Sequence, residues 1–187
     1  MKHEKILVLD FGGQYCQLIA RRVREQNVFA EIKPYTTDYK VLAKERYKGI
    51  ILTGGPQKVY AENAPLCDRA IFDLGIPVLG LCYGAQVMAY LLGGQVQPAS
   101  HSEFGMTDIE YDLDRKLFNS VTPQNRCWMS HKDAIFTPPT GFRVTAKTQH
   151  CPCAAIENID KNLYALQFHP EVNHTHQGTE MLRAFFF

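Results

Sequence analysis

Short apolar runs punctuate the first half of the chain. Ile6-Leu7-Val8-Leu9, Ile50-Ile51-Leu52 and Val78-Leu79-Gly80-Leu81 contain no charged or polar side chain, the pattern of strands buried on both faces. Phe29 to Ile32 reads as a further strand. Between these runs the period lengthens. Tyr15, Leu18, Ile19 and Val23 recur at helical spacing after Gly12-Gly13, and a helical stretch ends before Gly49. Pro65 to Leu74 reads as a helix, and so does Val87 to Leu92, which Gly93-Gly94 stops. Strands and helices alternating over short connections predict a parallel, doubly wound sheet flanked by helices.

From Gly105 onward the pattern changes. Met106 to Tyr111, Phe142 to Ala146 and Ala154 to Asn158 alternate more, which predicts antiparallel strands with one wet face. Leu163 to Phe168 is β-rich, and the chain closes on a helical stretch ending in Phe185-Phe186-Phe187. Internal repeats, low-complexity tracts and linkers are absent from the sequence. Residues 1–187 are therefore expected to form one α/β domain, a mostly parallel sheet with an added antiparallel portion.

Ligands of open parallel sheets bind beyond the carboxyl ends of the strands, and several such ends here carry chemistry. Gly80-Leu81-Cys82-Tyr83-Gly84 joins a strand to a helix. Glycines on either side permit a strained turn that pushes the sulfur out of the sheet. The helix N-terminus favours thiolate over thiol. Most free cysteines are small buried apolar residues, but this placement makes Cys82 a candidate nucleophile. A nucleophile needs a base, and a base needs an orienting group. Gln167-Phe168-His169-Pro170-Glu171 offers both. Pro170 keeps His169 extended, so His169 and Glu171 share a face and Glu171 can orient the imidazole. Thr53-Gly54-Gly55-Pro56 follows another strand, and a glycine N–H there can approach a substrate without side-chain obstruction.

The Cys82 elbow, Thr53 to Pro56 and Gln167 to Glu171 together resemble the class I (triad-type) glutamine amidotransferases. Leu9 to Tyr15, Glu103-Phe104-Gly105, Trp128 to Asp133 and Val172 to Thr175 resemble most closely the glutaminase domain of GMP synthetases. The resemblance runs from Ile6 to the last helix and implies a flavodoxin-like fold. It implies Cys82, His169 and Glu171 as the triad, and the Gly55 and Tyr83 N–H groups as the oxyanion hole. Gln86, with Gly54 and the Ser130-His131 segment, would hold L-glutamine. His131, placed in a loop, is assigned to scaffolding and not to proton transfer. Lys132 stands where many of the resembled proteins carry glycine, and a lysine disfavours a positive-φ backbone there.

The resemblance also implies a partner. An ATP pyrophosphatase (synthetase) domain or subunit would bind ATP and Mg and aminate XMP to GMP. Its phosphate loop does not occur in this sequence, so no cofactor is expected in this chain. The apolar stretch from Met181 to Phe187 suggests an excised domain or a surface that contacts such a partner. Alternatives in the same framework are the glutaminase of another amidotransferase (anthranilate, aminodeoxychorismate, carbamoyl phosphate), a γ-glutamyl hydrolase-like enzyme, or a silent regulatory domain.

Charge and cysteine usage narrow the classes. Twenty basic and nineteen acidic residues leave a net charge of +1, with no electrostatic footprint for nucleic acid or an anionic membrane. Met1-Lys2-His3-Glu4-Lys5 lacks an apolar leader and passes straight into a strand, so a cytoplasmic protein with no membrane contact is expected. Six cysteines occur, among them Cys151-Pro152-Cys153 after His150. That pair has no second Cys/His pair at zinc spacing, and no metal site is expected. His174-Thr175-His176 is read structurally, with Thr175 as N-cap of the final helix.

Overall fold

Strand β1 (Lys5–Asp10) buries side chains on both of its faces, Ile6 and Val8 on one, Leu7 and Leu9 on the other. Those two faces seed the two apolar layers of the molecule. The computed structural model describes residues 4–187; the first three residues of the polar start lie outside the described residues. After β1 come α1 (Cys16–Glu25), β2 (Phe29–Pro34), α2 (Tyr39–Lys44), β3 (Gly49–Leu52), β4 (Val78–Leu81) and α3 (Tyr83–Leu91). The second half holds β5 (Gln95–Tyr111), β6 (Gln124–Thr137), β7 (Arg143–Lys147), β8 (Ala155–Asn158), β9 (Leu163–Leu166) and α4 (Gly178–Phe186).

All of these strands form one sheet in the order β2-β1-β3-β4-β9-β8-β7-β5-β6. The segment β2-β1-β3-β4-β9 is parallel, and β8, β7, β5 and β6 extend it antiparallel. Parallel neighbours end on the same side. The residues after β1, β3, β4 and β9 therefore meet at one edge, as the sequence implies. One apolar layer contains α1 and α4 residues such as Ile19, Val23, Met181, Leu182 and Phe185; the other contains Leu42, Val87 and Met88.

Four expectations need correction. Pro65 to Leu74 is not an α-helix; a single 3₁₀ segment spans Arg69–Asp73. The Asp68 carboxylate caps the Ala70 N–H at 2.9 Å, and Gly75 turns left-handed at φ 71°. These two stops bound the segment, which closes as one short 3₁₀ turn. Trp128 to Asp133 is not a loop but lies within β6, paired with β5. β8 is buried on both faces instead of having one wet face, because β7 and β9 flank it and apolar layers cover it. The terminal aromatics mostly serve this chain's own core: Phe185 is buried edge-on to Tyr164, and only Phe187 is well exposed.

Candidate active site

Cys82 is the residue between β4 and α3, with φ 51° and ψ −107°. A non-glycine residue with positive φ and this ψ is strained, and the strain is held from both sides. The Cys82 N–H donates to the Leu166 carbonyl of β9 at 2.8 Å, and the Cys82 carbonyl accepts from Gln86 N–H at 3.2 Å. The flanking glycines are needed for close approach. A Cβ on Gly80 would sit 2.6 Å from the Gly84 carbonyl oxygen, and one on Gly84 would sit 2.4 Å from the Leu52 carbonyl oxygen. The elbow is thus dictated by backbone crowding between the start of α3 and the strands β3 and β4.

β9 delivers the partner. His169 and Glu171 are both buried, and His169 Nδ1 lies 2.7 Å from Glu171 Oε1. The other carboxylate oxygen of Glu171 is buried without a protein partner, so its side-chain hydrogen bonding falls on the imidazole. Burial alone would lower the His169 pKa. Hydrogen bonds to Cys82 and Glu171, with the charge on both, outweigh that and raise it to about 11. The imidazole is therefore cationic at neutral pH and sits beside the sulfur.

The backbone of His169 is clamped to β6. Its N–H donates to the Trp128 carbonyl at 3.1 Å. Its carbonyl accepts from the Thr175 hydroxyl, which also accepts from the Trp128 N–H at 2.9 Å. Thr175 is therefore not the N-cap of α4; that position is Gln177, in a left-handed conformation. The threonine joins the segment after β9 to β6 instead.

A cleft of about 520 Å³ opens over Cys82. It is lined by Gly54, Gly55, Tyr83, Gln86, Ser130, His131 and His169, so of the residues named for the triad, the oxyanion hole and glutamine all but buried Glu171 reach it. Gly13, Tyr15, Phe104 and Lys132 line it as well. Tyr15, expected in the apolar stripe of α1, packs edge-on against the His169 ring at 5.2 Å; Cys16 takes its place in the core. Lys132 is exposed in β6 and does not have positive φ.

Gly55 tolerates no side chain, since a Cβ would meet the Phe11 carbonyl oxygen at 2.8 Å and the Tyr83 ring at 3.1 Å. The Tyr83 ring is buried and its hydroxyl donates to Pro65, so only its backbone faces the cleft chemistry. Tyr83 N–H belongs to the first turn of α3, where amides lack intrahelical acceptors. Gly55 and Tyr83 both line the cleft together with Cys82.

Gln86 and His131 are tied into one buried network. The Gln86 amide nitrogen donates to the Asp133 carbonyl at 2.9 Å and to Gln167 Oε1 at 3.1 Å. His131 Nδ1 lies 2.9 Å from the same Asp133 carbonyl, and Nε2 lies 2.9 Å from Glu103 Oε2. Thr148 donates to the other Glu103 oxygen at 2.7 Å. Both His131 nitrogens thus face protein partners. The donor atoms of Glu103, His131 and Cys151 lie within 4.8 Å of one another, a nitrogen, oxygen and sulfur set of the kind zinc takes. Two of the three residues are already hydrogen-bonded at every donor position, and burial with the nearby Glu103 charge pushes the Cys151 thiol up to about 12. The cluster is built as a hydrogen-bonded pair. His150, meanwhile, stacks on His101 at the surface, away from Cys153.

Glu103 and Gln167 had no role assigned from sequence, and Thr175 had only that of a helix cap. Gln167 ends an apolar β-run with a fully buried amide, a pattern that could have flagged it.

The family model described as glutamine amidotransferase class-I matches residues 7–187. The chain is 55% identical over 185 residues to a glutamine-hydrolysing GMP synthase of Clostridium botulinum, covering 99% of this chain and 36% of that protein. It is 54% identical over 187 residues to one of Caldanaerobacter subterraneus, again 36% of that protein. The chain thus spans little more than a third of the length of the curated relatives it matches. A crystal structure described as that of a GMP synthase subunit from Thermoplasma acidophilum superposes with a TM-score of 0.90 at 31% identity, covering 100% of this chain and 94% of that one.

Proposed function

The chain belongs to the class-I glutamine amidotransferase family, and on that premise we propose that it hydrolyses glutamine to glutamate and ammonia through a Cys82 γ-glutamyl thioester. The ammonia serves the amination of XMP to GMP on an ATP pyrophosphatase module that uses ATP and Mg and lies outside this chain. Residues 1–187 act as the amidotransferase domain, in the cytoplasm.

The observation that supports this reading best is the pairing of a strained Cys82 with a cationic His169 backed by Glu171 at the floor of one cleft. Cys82 thiolate attacks the side-chain carboxamide carbon, and the N–H groups of Gly55 and Tyr83 receive the developing oxyanion. His169 donates its proton to the leaving ammonia. The neutral imidazole then takes a proton from water, which hydrolyses the thioester and releases glutamate. Glu171 keeps the ring in register throughout. Gln86, Gly54, Ser130 and the His131-held strand shape the part of the cleft that takes the amino-acid end of glutamine.

Full-length relatives join such a domain to much additional chain, which fits ammonia being consumed by a neighbour. The test is glutamine hydrolysis by the chain alone, with the synthetase module, and with that module plus XMP and ATP. Slow turnover alone and a higher kcat/KM in the complete mixture support the proposal. An isolated chain as fast as the full mixture argues for a free hydrolase.

A further inference from the structure

The hydrogen bonds beside Cys82 have an enforced direction. A backbone carbonyl only accepts, so the group facing the Asp133 carbonyl at 2.9 Å must be the amide nitrogen of Gln86. That same nitrogen faces Gln167 at 3.1 Å. The Gln167 atom meeting it must therefore be the oxygen, which leaves the Gln167 nitrogen pointing at Cys82 Sγ, 3.8 Å away. Gln167 is fully buried and has no alternative orientation that avoids opposing two N–H groups.

We propose that Gln167 is a further catalytic residue of this site, whose carboxamide N–H solvates the Cys82 sulfur once it is a thiolate. The proposal rests on the glutaminase reading above. The sulfur has two opposed neighbours. As a thiol it donates to the Ser130 carbonyl at 3.5 Å. That carbonyl repels a thiolate, whereas the Gln167 N–H attracts one. Loss of the proton from Sγ therefore exchanges the Ser130 contact for the Gln167 contact. Gln167 keeps its protons; its hydrogen bond weakens as the sulfur's electron pair forms the bond to carbon. The charged and titratable groups around Cys82 on other elements are His169 backed by Glu171, Tyr15 at the start of α1, and His131, Lys132 and Asp133 on β6.

The test uses the intact chain and does not need glutamine. Alkylation of Cys82 by iodoacetamide, located by mass spectrometry, is followed from pH 5 to 10 for wild type, Gln167→Glu and Gln167→Met, with thermal unfolding of each. The carboxylate of Gln167→Glu should move the alkylation profile upward by about one pH unit, and Gln167→Met should slow alkylation near pH 7 about tenfold. Gln86→Met, which frees the Gln167 amide to turn, should shift the profile the same way by less. Profiles matching wild type, in variants that melt normally or not, would overturn the proposal. Wild type that alkylates as expected but fails to hydrolyse glutamine would overturn the glutaminase reading alone.

Discussion

The Thr175 hydroxyl donates to the His169 carbonyl at 2.6 Å while accepting from the Trp128 N–H at 2.9 Å. One small side chain thereby fixes the segment after β9 that carries His169, the proposed base, against the strand that forms the cleft wall. Valine has the same shape without the hydroxyl. Thr175→Val should leave two buried backbone groups unsatisfied and cost about 2 kcal/mol of stability. It should also lower kcat more than it raises KM, because His169 loses its anchor, whereas Thr175→Ser should restore both. Thermal melts and steady-state glutaminase kinetics on the two variants check this.

Cys82 should be the cysteine that electrophiles find. Burial pushes the thiols of Cys16 to about 11 and of Cys67 and Cys151 to about 12, and raises Cys127 and Cys153 as well. A glutamine-like chloroketone should label Cys82 almost alone, and Cys82→Ser should lose turnover while keeping the wild-type fold. Peptide mapping of the label to Cys151 or Cys153 would refute the nucleophile.

Glu171 should govern the alkaline behaviour of the site. The folded pKa of His169, about 11, lies above the ordinary histidine value near 6.5. Its contribution to stability is therefore fully present below about pH 6.5 and is lost as pH rises toward about 11. Glu171→Gln removes one of the raising partners, so the His169 titration should move to lower pH. The stability gap to wild type should be widest near pH 6 and shrink in alkali. His169→Asn should lose more activity than Glu171→Gln, since an orienting group contributes less than the proton carrier. Ring-proton NMR titration and melts across pH read both effects.

Two adjacent glycines should respond differently to alanine. A Cβ on Gly55 collides with the Phe11 carbonyl oxygen at 2.8 Å, whereas one on Gly54 meets His169 and Cys82 only at 3.5 and 3.8 Å. Gly55→Ala must move the loop that carries the proposed oxyanion donor, and kcat should fall by about 100-fold or more. Gly54→Ala should cost less in kcat and act mainly on KM by narrowing the cleft. Equal losses in kcat would remove Gly55 from the oxyanion hole.

What the sequence made legible follows from what apolar patterning records. The centre of β1 and all of β3 and β4 are uninterrupted apolar runs, and the elbow after β4 is marked by glycines at the positions where neighbouring backbones crowd. His169 and Glu171 were legible because Pro170 fixes their local geometry. The strand through Ser130, His131 and Asp133 was not. Its inward residues are polar, and their partners Glu103, Gln86 and Tyr60 lie 28, 47 and 73 positions away in the chain. Buried polar pairing of that range leaves no periodic trace. Thr175 was misplaced for a related reason, since a threonine before a helix is the ordinary mark of a cap and its strand partners are remote.

β9 is the last strand of the chain, yet it occupies the middle of the sheet, between β4 and β8. As the polypeptide leaves the ribosome, β4 therefore keeps one open apolar edge until Leu163–Leu166 emerges. That edge is a template for pairing with the wrong chain. The same delay protects the sulfur. His169, the proposed base, is made only three residues after β9 ends, so a nascent chain carries Cys82 without it. Reactivity arrives with the strand that completes the fold.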